Sequence, residues 1–264
     1  MPRASATPSA TAPWGWAFSG AVCGLLLVLL WQAPGQWLTS ALQQATQGRL
    51  QFHQTRGSLW QGSAQVSLAG GFGSQDAALL PGRLSWRLHL SGLSLQADLL
   101  ADCCMQQPWR LSLSPGWGSL HLSLADNRAQ WPAAVLAGLG TPWNTLQAQG
   151  QLGLSSQGLE AEWSAGRLRL SGRAQLDAMH MSSRLSTLKP MGSYRLSIQG
   201  GSTIGLTLET LDGSLQLSGS GQWVGGRLRF EGVASATPER QEALANLLNI
   251  LGQRDGQRSI IKVG

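Results

Sequence analysis

The side chains that could do chemistry in this chain are few and lie far apart. It has three cysteines, Cys23, Cys103 and Cys104, and four histidines, and none of them follows a metal-ligand spacing. A disulfide favours a Cα separation of ~5.5 Å. We therefore expect two packed thiols at the adjacent pair, with a bridge to another chain as the alternative. Glu160 and Glu162 share one face of a predicted strand, but nothing near them in sequence indicates a pocket.

A glycine-rich run over Gly219–Gly225 has the composition of a phosphate-binding loop. Such a loop needs the N-terminus of a helix behind it, whereas the alternating residues Arg227–Phe230 predict a strand. No catalytic motif with a working spacing occurs elsewhere in the chain. The sequence therefore predicts a protein that is not an enzyme and that uses no cofactor and no metal.

The longest apolar stretch lies near the start of the chain. No charged residue occurs between Arg3 and Arg49, and residues 14–33 read WGWAFSGAVCGLLLVLLWQA. As a helix, about 20 apolar residues span the ~30 Å hydrocarbon core of a bilayer, and tryptophans at both ends suit the headgroup layers. We predict an uncleaved, single-pass transmembrane anchor. The residues that represent it are Trp14, Leu25, Leu27, Leu30 and Trp31.

Two alternatives to the anchor stay open. A cleaved signal peptide would need small residues at two positions before the cut, but Trp31 occupies one of them if the cut follows Ala33. A helix buried in a globular core rarely lacks polar residues on every face. Residues 1–13 carry a single basic side chain, so the charge bias that sets orientation is weak.

The rest of the chain is basic, with its charges dispersed. The whole sequence has 19 Lys and Arg against 13 Asp and Glu, a net charge of +6. The arginines stand singly, whereas nucleic-acid-binding proteins cluster them on one face or helix. We therefore expect no nucleic-acid partner, and a weak attraction to anionic headgroups or acidic partners stays open.

Apolar and polar residues alternate through most of the region from Arg56 to Arg229, as in Leu84–Leu90. This period of two predicts strands, and glycines at short intervals predict the turns between them. The fold class that we expect is mainly β: after the N-terminal transmembrane helix comes an antiparallel, Gly-punctuated curved sheet or sandwich, with a C-terminal amphipathic helix. Its apolar face must fold over, curl into a trough or dock on a partner.

Three segments interrupt this pattern. Trp37–Gln47 predicts a helix that continues the anchor outward. Pro132–Gly138 predicts a short helix, because proline suits the first helical position. Residues 238–251 predict an amphipathic helix with a leucine stripe on one side, and residues 259–263 predict a final strand. The side chains that we expect to form either the core or a contact surface are Trp60, Trp86, Trp143, Trp223, Leu244, Leu247, Leu248 and Leu251.

Several runs of this sequence resemble the N protein of the bacterial type II secretion system. They are GSLWQGSA at 57–64, LPGRLSW at 80–86, GLGTPWNTL at 138–146, GSGQWVGGRLRF at 219–230 and ALANLLNI at 243–250. The resemblance covers most of the chain from Gly57 on, and none of its motifs is catalytic. The family is also distantly similar to AsmA-like proteins, whose β-sheets curl around lipid.

The resemblance implies an accessory role in the export of folded proteins from a bacterial inner membrane, with the C-terminal domain in the periplasm. The partners that it implies are the inner-membrane platform proteins, the C protein and the outer-membrane secretin, besides the lipid bilayer. A homo-oligomer stays open. The alternative function is that of an AsmA-like periplasmic groove that binds or handles lipid.

These predictions divide the chain into six segments. In order, they are a short cytoplasmic segment at 1–13, the anchor at 14–33, a juxtamembrane helix at 34–48, a first periplasmic β segment at 49–130, a short helix and linker at 131–144, and a second periplasmic β segment at 145–264.

Overall fold

A single antiparallel sheet of 16 strands dominates the computed structural model, which describes residues 14–224 and 227–264. The predicted cytoplasmic segment, residues 1–13, lies outside the described residues. The strands are β1 (Leu50–Gly57), β2 (Gln61–Ala69), β3 (Ala77–Leu79), β4 (Leu84–Ser91), β5 (Ser94–Ala101), β6 (Trp109–Pro115), β7 (Ser119–Leu124), β8 (Asn127–Pro132), β9 (Gln149–Ser164), β10 (Arg167–Ser182), β11 (Gly192–Gly201), β12 (Gly205–Gly213), β13 (Leu215–Val224), β14 (Arg227–Ala236), β15 (Gln253–Asp255) and β16 (Arg258–Val263).

The strand order follows the chain almost without exception. The path runs β1-β2-β4-β5-β6-β7-β9-β10-β11-β12-β13-β14-β16-β15, while β3 pairs with β2 and β8 pairs with β9. Neighbouring strands on this path are antiparallel, which confirms the predicted mainly β, antiparallel class. Strands before and after the 131–144 segment belong to the same sheet, because the long strand β9 pairs with both β7 and β8.

Helices cover part of this sheet. They are α1 (Trp14–Trp31), α2 (Gly35–Ala45), α3 (Trp143–Leu146) and α4 (Gln241–Leu251), with 3₁₀ segments at Ala133–Leu139 and Pro238–Arg240. α2 packs on β1 and β2, whereas α4 packs on β14, β15 and β16. The short Ala133–Leu139 segment packs on β2, β3 and β9.

The main core lies under α4. Leu244, Leu247 and Leu248 are almost fully buried, as expected for the apolar stripe of an amphipathic helix. They join Leu215 and Ala234 of the sheet in one hydrophobic cluster. The leucine stripe of α4 therefore covers the first residue of β13 and the last residues of β14.

Helix α1 and helix α2 are separate elements, which corrects the prediction that Trp37–Gln47 continues the first helix. α1 ends at Trp31, and Pro34 has an extended backbone with φ −68° and ψ 145°. Pro34 forms a β-bridge with Ser58, and the Ala33 carbonyl accepts a hydrogen bond from the Leu59 amide at 2.7 Å. Pairing of the backbone with the sheet thus interrupts the helix.

Among residues 14–224 and 227–264, no helix reaches the length and apolar character that a membrane crossing requires. The predicted anchor is therefore not confirmed.

The adjacent cysteines are joined in the structure, which corrects the expectation of two thiols. Cys103 and Cys104 form a disulfide with their Cα atoms 3.7 Å apart. They lie in a tight turn after β5, where the amides of Cys104 and Met105 both donate to the Ala101 carbonyl, at 2.9 and 3.0 Å. Consecutive Cα atoms across a trans peptide always lie about 3.8 Å apart, so this separation is the ordinary spacing of neighbouring residues and not a contraction of the backbone.

Tyr194 on β11 is the only tyrosine in the sequence, and its ring is buried in the core cluster. Within the part of the chain that the structure describes, its hydroxyl is buried without a hydrogen-bond partner. A buried phenol resists ionisation because the charged form loses its hydration. Burial therefore raises the pKa of Tyr194 above its ordinary value.

We expect the tyrosinate absorbance of the native protein to appear only well above pH ~10, the ordinary tyrosine pKa. The same titration in denaturant should return to about 10. Since the native pKa is the higher one, this group's contribution to stability is full below pH ~10 and is lost as the pH rises further. Tyr194→Phe, the control, should show no such signal. A native titration near pH 10 would contradict the burial of this phenol.

Candidate functional site: an open apolar face and its joints

One face of the sheet is apolar from β4 to β10, because the residues that face each other on neighbouring strands point to the same side and are nearly all leucine. The register pairs Leu90 with Leu95, Leu95 with Leu113, and Leu113 with Leu122. It continues from Leu122 to Ala161 on β9 and then to Leu170 on β10. We call these six residues (Leu90, Leu95, Leu113, Leu122, Ala161 and Leu170) the leucine row.

Much of this face is open to solvent. Leu90 is 67% exposed and Leu122 is 39% exposed. Beside the row, Leu120 pairs with Trp163 and Trp163 with Leu168, and Trp163 and Leu168 are more than half exposed. Large exposed apolar patches on proteins commonly mark binding sites for proteins, membranes or ligands. The middle of the sheet is therefore the candidate functional surface.

The row ends in a cavity of about 1350 Å³ next to the β9–β10 hairpin. From the apolar face, Leu122, Trp163, Leu170 and Trp223 contribute to its lining. Residues of the other face that alternate with them also take part, including Arg169. The cavity joins β7, β9, β10 and β13, so it gathers residues that are far apart in sequence.

At its other end the row meets α1. A cavity of about 470 Å³ there is lined by Leu27, Val28, Leu30, Trp31, Gln32, Trp60 and Leu90. The indoles of Trp31 and Trp60 lie 6.2 Å apart, centroid to centroid. Trp60 Nε1 also donates a hydrogen bond to the Leu30 carbonyl at 3.1 Å. The 57–64 motif thus attaches the end of α1 to the sheet.

Trp86 packs beside this joint, against the segment that connects β1 to β2. Its Nε1 donates to the Leu59 carbonyl at 3.1 Å, and the side chain is nearly fully buried. A Cβ on Gly35 would lie 3.0 Å from Cζ2 of Trp86, and one on Gly62 would collide with the same atom. The indole therefore packs directly on two glycine backbones, one from α2 and one from β2.

A second motif residue, Arg83, fixes the strand beside this joint. Its Nη2 donates to the carbonyl of Gln54 at 2.7 Å and to that of Ser63 at 3.3 Å. Gln54 has a positive φ of 49° and sits where the β1–β2 register shifts. A guanidinium carries several donors in a planar array, so one side chain binds a carbonyl within the bulge of β1 and a carbonyl of the facing strand β2.

The 138–146 motif forms the joint between the two halves of the sheet. A Cβ on Gly138 would collide with the Leu68 carbonyl of β2, so the backbones touch at that position. The buried Leu146 carbonyl accepts hydrogen bonds from Ser183 Oγ at 2.7 Å and from the Arg184 amide at 3.2 Å. Trp143 begins α3 and is 39% exposed.

The 219–230 motif is a close-packed hairpin. Phe230 is buried, and its ring lies across glycines of the two paired strands. A Cβ on Gly219 would lie 2.5 Å from Cζ of Phe230, and one on Gly232 would lie 3.0 Å from Cε1. Gly219 and Gly232 face each other in the register. These glycines provide room for an aromatic ring, not for a phosphate.

The candidate residues from the sequence fall into two groups. Trp60 and Trp223 line the two cavities at the ends of the row, and Trp143 is part-exposed on α3. The others are packed inside the protein: Trp86 under the α1 joint, and Leu244, Leu247, Leu248 and Leu251 in or against the core cluster.

The opposite face of the sheet is polar and carries ion pairs. Arg195 Nε and Nη2 donate to the two carboxylate oxygens of Asp177, at 2.7 and 3.0 Å. Hydrogen bonding to Asp177 raises the pKa of the Arg195 guanidinium. Arg110 Nε likewise donates to Asp98 at 2.8 Å. Of the residues described, no three from His, Cys, Asp and Glu come together as metal ligands could.

The sequence analysis did not predict that the residues of the leucine row form one line, and it did not identify Phe230 as a buried packing residue. Alternation identified the apolar side of each strand, but only the pairing register shows that Leu90 and Leu170 belong to one line. The signal for Phe230 was present as spaced glycines at Gly219 and Gly232, since a glycine in a strand often marks a close approach.

Comparison with known proteins identifies a family whose model matches most of the chain. The model of a family described as type II secretion system protein N matches residues 48–261. No curated protein and no solved structure matches the chain.

Gly219→Ala tests the close packing of the 219–230 hairpin. The new methyl group would meet Phe230 Cζ at 2.5 Å, the Glu231 carbonyl at 2.8 Å and Gly232 Cα at 2.9 Å. We expect a loss of about 1–3 kcal/mol in the free energy of unfolding from overpacking. Gly205→Ala on β12 is the matched control, because nothing lies within 4 Å of its Cβ position. Equal stability of the two variants in urea unfolding would contradict this packing.

Proposed function

Because the chain belongs to the type II secretion system protein N family, we propose that it is an accessory inner-membrane component of that system. In this proposal its β-sheet lies in the periplasm and contacts other secretion components while folded proteins are exported. The platform proteins of the inner membrane, the C protein and the outer-membrane secretin are the proposed partners.

The observation that carries this proposal is the extent of the family match. Residues 48–261 begin just before β1 and reach into β16, so the match includes every strand of the sheet. The motifs at 57–64, 80–86, 138–146 and 219–230 serve as joints of that sheet. The family motifs hold the sheet together and contain no catalytic set. This fits a role in which the protein contacts other secretion components through the surface of the sheet.

The surface that we propose for protein contacts is the polar face. It carries the Arg195–Asp177 and Arg110–Asp98 pairs, and charged groups favour specific, steered encounters between proteins. The chain as a whole is net positive, which favours acidic partners.

The membrane placement is a further part of the proposal. Residues 14–31 form α1, and its apolar side chains are exposed, with Leu25 at 61% and Leu27 at 63%. Such a helix gains free energy by burying these side chains in lipid. The α1–sheet joint at Trp31 and Trp60 would then lie at the headgroup layer, where indoles are favoured.

Deletion of the gene should leave the exported proteins of the type II system in the periplasm, and the wild-type chain should restore their release. The measurement is the ratio of extracellular to periplasmic exoprotein, with a protein that ends its route in the periplasm as the control. Photo-cross-linkers at Arg87 and Glu209, on the polar face, should capture a platform protein, the C protein or the secretin. Unchanged export after deletion would refute a required role.

Leu27→Arg should shift the chain from the membrane fraction to the soluble fraction. An arginine in the middle of a membrane helix costs roughly 2.5–3.5 kcal/mol on insertion scales. Leu42→Arg is the control, because Leu42 is also exposed but lies on α2, outside the proposed membrane segment. Membrane retention of both variants would contradict anchoring through α1.

A further inference from the structure

We propose that a cleft beside the Cys103–Cys104 disulfide, on the polar face of the sheet, binds a neutral oligosaccharide. The cleft lies where strands β8 and β9 meet the turn after β5. The inference goes beyond a role in secretion, and it does not depend on the membrane placement of α1. It assigns a ligand class to a polar site that the contacts with secretion components do not require.

The cleft consists of two adjoining cavities. The larger one, of about 770 Å³, lies between the turn after β5 and strands β8 and β9. The smaller one, of about 320 Å³, lies over β8, β9 and β10 and reaches the Arg195–Asp177 pair. Arg128, Gln130 and Ser155 line both cavities. Small-molecule pockets commonly enclose ~300–1,000 Å³, so a ligand of several units can extend from one cavity into the other.

The wall of the larger cavity is held in place by the backbone. The Gln130 amide donates a hydrogen bond to the Cys104 carbonyl at 2.8 Å, and Met105 forms a β-bridge with Ala129. The turn after β5 therefore occupies the edge of β8 that does not pair with β9. A peptide joins a sheet at an exposed edge, and this edge is closed to it.

Gly153 forms the floor of the smaller cavity. It faces Gln130 on β8 and Asp177 on β10. A Cβ at Gly153 would have no contact closer than 3.9 Å. The space above this residue is therefore left unfilled by its neighbours, and it separates two strands whose side chains are polar at this position.

The side chains of the larger cavity suit hydroxyl groups better than a charged ligand. An amide both donates and accepts hydrogen bonds, as a sugar hydroxyl does. The carboxylates of Asp102 and Asp126 outnumber the guanidinium of Arg128, which disfavours an anion. The glutamines that line this cavity are Gln106, Gln107, Gln130 and Gln157.

The disulfide provides the apolar surface that a sugar ring also needs. One face of a pyranose presents C–H groups, which pack on a flat apolar group. Cys103 and Cys104 line the larger cavity together with Met105. A disulfide between neighbouring residues closes a small covalent ring with the backbone, so its surface is rigid, and the thioether of methionine is polarisable. The larger cavity thus combines an apolar platform with hydrogen-bonding walls.

The test uses the full chain in micelles of lauryldimethylamine oxide, a detergent without a sugar headgroup. Dissociation constants are measured by saturation-transfer NMR for maltotriose and chitotriose, and for glucose and N-acetylglucosamine as their single units. We expect at least one trisaccharide to bind about tenfold more tightly than its single unit, because only the longer ligand reaches both cavities. Trigalacturonate, which is anionic, should bind more weakly than maltotriose.

Two pairs of variants locate the site. Gly153→Ile fills the smaller cavity and should remove the advantage of the trisaccharide over its single unit. Gly205→Ile is its control, because Gly205 lies on the same face, also has an open Cβ position and lines neither cavity. Gln130→Ala should weaken trisaccharide binding about three- to tenfold through the loss of a hydrogen bond. Gln222→Ala, an exposed glutamine that faces Gly205, should bind like the wild type.

Folding of each variant is checked by the titration of Tyr194, which reads the core at a distance from the cleft. Failure of both trisaccharides to bind the folded wild type would overturn the proposal. Tighter binding of trigalacturonate than of maltotriose would contradict a neutral ligand. Equal trisaccharide affinity of Gly153→Ile and Gly205→Ile would contradict the location, and unchanged affinity after reduction of the disulfide would overturn the role of Cys103 and Cys104.

Discussion

The constraint on which the structure depends is the side-chain parity of one very wide sheet. Fourteen strands pair in succession, and a slip of one residue at any pair would turn the apolar side of every later residue to the other face. One of the two register shifts between β9 and β10 lies at Gly158 and Gly172, where two residues of β9 oppose one of β10. Because the extra residue is absorbed there, Trp163 and Leu168 stay on the same face as Leu154 and Leu176.

This regularity creates an apolar face larger than the helices cover. α4 covers the end of the sheet near β14, and α2 covers the end near β1. Between them the strands from β4 to β10 carry Leu90, Leu122 and Trp163 in the open. Hydrophobic burial is the main favourable term in folding and association, so the uncovered part of the face is the strongest reason to expect an occupant.

The family motifs form packing contacts that hold the helices and strands together. Trp60 attaches the end of α1 to the sheet, and Trp86 packs on Gly35 of α2. Gly138 brings the 3₁₀ segment against β2, and Phe230 lies on Gly219. None of these residues needs to react with anything. Their residue types are restricted by packing. A Cβ added at one of the glycines, or a smaller ring in place of an aromatic side chain, would change a backbone contact, and close-packed interiors tolerate such changes poorly.

The sequence by itself determined the alternation, and with it the β class, the apolar side of each strand and the leucine stripe of α4, because these depend on local periodicity. It did not indicate the interruption at Pro34, since the bridge to Ser58 is a contact between distant segments. It also missed the disulfide of Cys103, which depends on a turn. Only the tertiary structure decided that Leu90 and Leu170 share one row, because strand register is set by pairing partners that the sequence of a single strand does not specify.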